Sequence, residues 1–302
     1  MNIRDLEYII AVADLGHFSK AAEACFVSQP TLSMQIKKLE EELGVEIFER
    51  TNKRVMVTPP GQEIIQQAKE VLLSVKDLKD LAQQFKDPWG GVLRLGIIPT
   101  LGPYLLPHIL PLLRMQFSQL RVTVIEGKTD TLLSMLHEGE VEAVIVSMPV
   151  ETSHLTVHSL FIEPFYAVFN ATSSLSCQEK ICASDLYDNN ILLLEEGHCL
   201  RQQVLDVCLK EKVQERENNF RLTSLETLYQ IIAAEGGISL FPALAIKMRP
   251  HNPHLVVRPF VSPVPSREIA LLWRTTSYRN LCCAKIGECI AHWASTQMPF
   301  LN

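Results

Sequence analysis

The sequence predicts a small helical domain with a two-stranded wing, then a long helix, then an α/β region of two lobes. Three observations carry this. Before residue 45, apolar residues recur at helical spacing in three short stretches. A heptad pattern follows without interruption from Ile64 to Phe85. From Val92 onward, short apolar runs alternate with amphipathic stretches, the pattern of an α/β domain.

At 302 residues and 47% hydrophobic content, the chain is long enough for two or three domains with sizeable cores. No apolar run approaches a membrane span. The first seven residues carry two acids and no signal-peptide apolar region. A cytoplasmic protein is expected, with no membrane partner, and there thiols stay reduced. Eight cysteines therefore argue against a static disulfide framework. No CxxC pair occurs, so no metal site is expected, and nothing in the chain calls for a cofactor. The net charge of −6 does not advertise nucleic-acid binding, but distribution matters more than the sum. Lys37 and Lys38 stand in an acid-free stretch, 28–39, and Arg50, Lys53 and Arg54 form a second basic cluster.

Residues 3–14 place Leu6, Ile9, Ile10 and Ala13 on one helix face. Phe18, Ala21, Ala22 and Cys25 mark a second, short helix. Ser28 reads as an N-cap with Pro30 in the first turn, where a missing N–H costs nothing. This third helix runs to Leu43, with Gly44 closing it. Val45–Phe48 and Val55–Thr58 read as the wing. In the long helix, Ala68, Val75 and Ala82 take heptad position a, and Ile64, Val71, Leu78 and Phe85 take d, the register of a dimerising coiled coil. Asp87-Pro88-Trp89-Gly90-Gly91 breaks it and marks a hinge.

Beyond the hinge, strands are expected at 92–98, 121–125, 143–147, 166–170, 191–194, 238–241, 255–259 and 269–274. Helices are expected at 104–117, 131–137, 199–210, 225–234 and 281–294. The domains are then 1–58, a linker helix and hinge at 59–88, and 89–302. One lobe of the last covers about 89–161 and 268–302, the other about 162–267.

Within this region, Leu200, Val204, Val207 and Cys208 form the apolar stripe of a helix that Cys199 begins on its polar side. Nine helical residues separate the two cysteines by about 14 Å. A disulfide needs Cα atoms within roughly 7 Å. If these thiols bond, the helix must unwind.

Phe18, Ala21-Ala22, Ser28-Gln29-Pro30-Thr31-Leu32-Ser33, Ile36, Leu39-Glu40, Leu43-Gly44, Phe48-Glu49-Arg50 and Thr58-x-x-Gly61 together resemble the LysR-type transcriptional regulators. The resemblance covers the whole chain. It implies a winged helix-turn-helix, a linker helix and a two-lobed effector domain like a periplasmic binding protein. The effector half is similar to the OxyR subfamily of peroxide sensors. That likeness rests on Ile98-Pro99-Thr100-x-Gly102-Pro103-Tyr104-Leu105-Leu106-Pro107-His108, Gly197-His198-Cys199-Leu200-Arg201, Cys208, Thr223-Ser224-Leu225-Glu226-Thr227-Leu228 and Pro242-Ala243-Leu244-Ala245. Two positions depart from the pattern: Gln202 stands where the subfamily often has an acid, and Pro60 where the family usually has alanine.

The resemblance implies that Cys199 is the peroxidatic thiol, oxidised to a sulfenic acid, and that Cys208 resolves it as a disulfide. A helix N-terminus at Cys199 favours an anion, and Arg201 and His198 can add positive charge or donors. Glu195 and Glu196 would work against this and are expected to face solvent. Thr100, Thr129 and Arg267 are the further peroxide-site positions, although Thr129 at a strand-to-helix junction equally reads as an N-cap.

For DNA, Ser28, Gln29, Pro30, Thr31, Ser33, Met34 and Lys37 occupy the N-terminal part of the recognition helix, the part that meets base edges. Gln29 can pair with adenine, and Pro30 and the Thr31 methyl can touch thymine methyls. Lys37, Lys38, Arg50, Lys53 and Arg54 are expected on phosphates. The implied partners are a double-stranded operator, further copies of the chain as homodimer or homotetramer, hydrogen peroxide as signal, a cellular thiol reductant and RNA polymerase.

Two alternatives differ in function. A LysR-type regulator could instead bind a small metabolite in the cleft between the lobes, with the cysteines incidental. A thiol enzyme lacks support: no Cys-x5-Arg loop exists around Cys199, and a dedicated DNA-reading domain argues against a peroxidase.

Overall fold

A computed structural model of the chain describes residues 1–50, 55–84, 89–186, 189–210, 222–250 and 252–298. The side chains of residues 50, 77, 79–84 and 208–210 lie outside the description. The chain divides into two compact units, Met1–Phe85 and Lys86–Asn302. Among the described residues, no helix is long and apolar enough to cross a membrane.

In the first unit, α1 (Ile3–Leu15) opens on a capping box between Asn2 and Asp5 and ends on Gly16 at φ 65°. Helix α2 (Phe18–Ala24) leads into α3 (Gln29–Leu43). Ser28 caps α3 by accepting the Thr31 N–H, with Pro30 in the first turn and Gly44 closing the helix at φ 69°. Leu32, Ile36 and Leu39 bury one face of α3 against Ile9, Val12 and Ala21.

The wing is shorter than expected. Strands β1 (Phe48–Arg50) and β2 (Val55–Val57) pair antiparallel, with Phe48 opposite Val57. Val45–Ile47 stay outside the ladder, and the Glu40 carboxylate accepts the N–H groups of Ile47 and Phe48, at 2.9 and 3.1 Å. Lys53 and Arg54, in the turn, lie outside the described residues.

Helix α4 (Pro59–Gln84) follows directly on Thr58. The Thr58 hydroxyl donates to Glu46 O at 2.7 Å and accepts the Gly61 N–H at 3.0 Å. A Cβ at residue 61 would run into the Ile47 carbonyl, which explains the Thr58-x-x-Gly61 spacing. The heptad seam does not face one environment. Ala68 is buried in the core of the unit and Ile64 packs against it, whereas Val71 and Leu78 are exposed.

The second unit is built on one mixed sheet. Its elements are β3 (Gly91–Ile97), α5 (Gly102–Gln116), β4 (Leu120–Glu126), α6 (Thr129–His137), β5 (Ala143–Ser147) and β6 (Leu155–Asn170). Then follow α7 (Cys199–Lys210), α8 (Leu225–Glu235), β7 (Ile238–Pro242), α9 (Ala243–Lys247), β8 (Leu255–Pro259), β9 (Ser266–Arg274) and α10 (Asn280–Gln297). The strand order is β4-β3-β5-β9-β6-β7, with β8 also on β6. Strands β4, β3 and β5 run parallel, and the remaining pairs are antiparallel.

Two cores lie along this sheet and define the lobes. One gathers Leu95, Ile145, Leu271, Trp273 and Ile286, and the other Phe165, Phe169, Leu228, Leu240 and Phe241. Strand β6 is longer than the expected 166–170 and runs from the first core to the second, with a bulge between Ser159 and Phe161. The expected strand at 191–194 forms only isolated bridges, Ile191 to Ile238 and Leu194 to Leu222. Its continuous apolar run reflects burial, not a ladder.

Candidate functional site: the Cys199 pocket and the α3 face

Cys199 opens α7 and is half-buried, packed against the first lobe's core. Leu200 and Val204 anchor the opposite face of the helix in the second core. Cys208 belongs to the last turn of the same continuous helix; its side chain lies outside the description. Nine residues of intact helix put the two Cα atoms about 14 Å apart, so no bridge can form in this state.

The approach to Cys199 is held across the lobes. Lys128, just before α6, donates to Glu195 Oε1 at 2.7 Å and to Glu196 O at 2.9 Å. Gly197 turns the chain at φ 87°, and a Cβ there would press on the Lys128 stem. Glu196 is exposed as expected, but Glu195 is not free in solvent: it is half-buried in the ion pair with Lys128. On the far side of Cys199, Gln203 Nε2 donates to Ser147 Oγ at 2.7 Å, tying α7 to β5. Sequence reasoning missed Lys128 and Ser147, since neither stands in a motif.

A pocket of about 410 Å³ opens beside Cys199, lined among others by Thr129, Ser147, His198 and Gln203. Three buried polar atoms on its wall, Thr129 Oγ1, His198 Nε2 and Gln203 Oε1, have no hydrogen-bond partner among the described residues. Such atoms are costly to bury unless something completes them. Thr129 is the first residue of α6, and its hydroxyl caps nothing. His198 is 93% buried by its 7% exposure. Burial, and next the charge of Lys128, hold its pKa below the ordinary histidine value, partly offset by Glu195. His198 is expected to add positive charge or a donor; its lowered pKa works against the charge and leaves the hydrogen-bonding role. Arg201 donates to Leu194 O at 3.2 Å, fastening the segment that precedes the turn.

Thr100 and Arg267 come together, though neither lines this pocket. Arg267 is buried and donates to Thr100 Oγ1 at 3.1 Å and to Thr100 O at 3.3 Å. Its counter-ion is Glu163, 2.8 Å away, with both side chains at 0% exposure. Glu163 also accepts the Leu244 N–H at 2.8 Å. The sequence signal for Glu163 was an acid inside the apolar run Phe161–Phe165.

On the first unit, Ser28, Gln29, Pro30, Thr31, Met34, Lys37 and Lys38 are exposed along the N-terminal part of α3, and Ser33 is half-buried. The Ser28 and Thr31 hydroxyls bond each other at 2.7 Å. Lys37 lies 3.7 Å from Glu41, an exposed pair of little energetic weight. The side chain of Arg50, like Lys53 and Arg54, lies outside the description.

Comparison with known proteins gives these units a context. Residues 3–62 match the LysR family model for bacterial regulatory helix-turn-helix proteins, and residues 86–294 match the LysR substrate-binding domain. The chain is 43% identical to the DNA-binding transcriptional dual regulator OxyR of Escherichia coli K12, across 96% of this chain and 95% of that protein. A probable hydrogen peroxide-inducible genes activator of Mycobacterium leprae is 35% identical across 98% of this chain and 95% of its own length. Among solved structures, a full-length OxyR variant from Pseudomonas aeruginosa superposes with a TM-score of 0.75 at 37% identity, covering 96% of this chain and 94% of that one. On these matches, the chain belongs to the LysR family of transcriptional regulators, in its OxyR branch.

Proposed function

We propose that this chain is a transcriptional activator switched by hydrogen peroxide, working on operator DNA in the cytoplasm. The observation that carries the reading is Cys199 at the head of α7, beside a pocket whose buried Thr129 and His198 atoms await a hydrogen-bonding guest. Peroxide has two donors and two acceptors and suits such a wall. The Cys199 thiolate attacks one oxygen, the O–O bond breaks, and the leaving hydroxide takes a proton to become water. Cys208 then attacks the sulfenic sulfur, a second water leaves, and the disulfide closes. Two thiols are oxidised and one peroxide is reduced. A cellular thiol reductant reverses the step. To Thr100 and Arg267, joined to each other at the boundary between the lobes, this reading assigns a supporting role behind the pocket.

Because intact α7 keeps the cysteines apart, the disulfide rebuilds the 199–208 region, and the new shape changes how copies of the chain sit together on DNA. Dimers or tetramers fit the exposed Val71 and Leu78 of α4. Mass mapping of cysteine linkages before and after one equivalent of peroxide tests the reading. A new Cys199–Cys208 link is expected, with the other six cysteines unchanged; no such link would refute it.

DNA is read by α3. Gln29 pairs with an adenine edge, and Lys37, Lys38, Arg50, Lys53 and Arg54 bind phosphates. Gln29→Ala is expected to cost about 1–3 kcal/mol at one base pair of the operator and to relax preference there. Lys38→Ala should weaken all sequences alike and flatten the salt dependence. Binding titrations on operator variants separate these outcomes.

A further inference from the structure

We propose that the mouth of the Cys199 pocket selects reactants by charge, admitting neutral and cationic molecules and slowing anionic ones. The proposal rests on the reading of Cys199 as the reactive thiol and adds which oxidants and reductants it meets. Three exposed carboxylates edge the pocket: Asp130 on α6, Glu151 after β5 and Asp206 on α7. No lysine or arginine lines it among the described residues.

The nearby cations are already committed. Lys128 is paired with Glu195 at 2.7 Å. Arg267 is paired with buried Glu163 at 2.8 Å. Arg201 donates to a backbone carbonyl. Two of the acids are held in place: Asp206 accepts from Gln202 at 2.8 Å, and Glu151 accepts the N–H and hydroxyl of Ser153 at 3.0 and 2.6 Å.

The carboxylates alone would be an ordinary solvated rim. What gives them a role is the buried wall of the same pocket, where Thr129 Oγ1 and His198 Nε2, on side chains more than nine-tenths buried, line it together with Cys199 and have no hydrogen-bond partner among the described residues. Whatever completes those atoms enters a pocket whose exposed charged groups are these acids. A cleft lined by one sign of charge focuses the field and biases the local concentration of charged solutes. Neutral hydrogen peroxide passes without penalty. An anionic oxidant, such as a peroxynitrite or peroxycarboxylate anion, is disfavoured, as is an anionic thiol reductant of glutathione type. The second effect protects the sulfenic acid from a mixed disulfide long enough for Cys208 to reach it.

The test uses full-length reduced protein and two methanethiosulfonate reagents of equal size, one trimethylammonium and one sulfonate. With either, the Cys199 thiolate attacks the reagent sulfur, a mixed disulfide forms and methanesulfinate leaves. Rates are read on the Cys199 peptide by mass, so that exposed Cys177 and Cys182 do not interfere, and are divided by the rates with free cysteine. The cationic reagent should react roughly tenfold faster than the anionic one at low salt, and the preference should collapse near 1 M salt. In the variant Asp130→Asn/Glu151→Gln/Asp206→Asn the ratio should fall to about one, while a neutral methanethiosulfonate changes by less than about twofold. A wild-type ratio of about one, or one that favours the anion, overturns the proposal without any variant. So does a ratio unchanged in a folded triple variant. The probes need no peroxide, so failure of the Cys199–Cys208 link bears on the peroxide reading alone.

Discussion

Replacing Cys199 by serine should abolish the peroxide response and leave DNA binding within about twofold of the wild type. A serine hydroxyl does not ionise at neutral pH without an adjacent base, so the attacking group is lost, not weakened. The substitution is small, and the half-buried position only borders the first core. The first unit, which carries α3, has a core of its own that does not include Cys199. Cys208→Ser should behave differently: Cys199 still reacts, and the sulfenic acid accumulates because nothing resolves it. Operator binding and reporter transcription, each with and without peroxide, check both. A normal response from Cys199→Ser would return the metabolite reading, with a ligand in the same pocket.

The second large effect concerns the buried pair behind the site. Glu163→Ala should destabilise the second unit by about 3–5 kcal/mol, because Arg267 would remain charged, buried and without its carboxylate. The Leu244 N–H loses its acceptor as well. For a unit of this size that is a fall of roughly 10 °C in Tm. Glu163→Met/Arg267→Met should cost less than the single change, since two apolar side chains leave no stranded charge. Thr100 would then lose its partner too, so the double variant should react slowly with peroxide while folding adequately. Urea unfolding followed by tryptophan fluorescence measures the stability difference. A single variant as stable as the wild type would show that water reaches Arg267.

The sequence made the helices of the first unit readable because their ends carry local signals: Ser28 and Pro30 at the start of α3, Gly44 at its close. The same holds for α7, where the stripe of Leu200 and Val204 marks the buried face. Strand β6 was legible only in its last third. Thr156, His158, Glu163 and Pro164 break the apolar pattern upstream, because that stretch crosses between lobes and faces changing surroundings. The run Ile191–Leu194 misled for the opposite reason: its side chains are buried, yet its backbone pairs only at the two ends.

In the site, Cys199 and His198 stood out by their motif. Lys128, Ser147 and Glu163 did not, because each acts on a partner 56 to 104 residues away, a distance no local spacing encodes. Glu195 shows the same limit. Its solvent-facing reading followed from charge next to a nucleophile, and a lysine from the other lobe reverses it.

Hydrogen exchange across α7, read by mass on molecules sorted by whether the two sulfurs are joined, bears most directly on the switch. Amides of residues 203–207 should be protected in the reduced protein and exchange freely once the Cys199–Cys208 bridge is present. A bridged population whose amides stay as protected as before would mean that the helix and the disulfide coexist, and the geometric basis of the switch would be wrong.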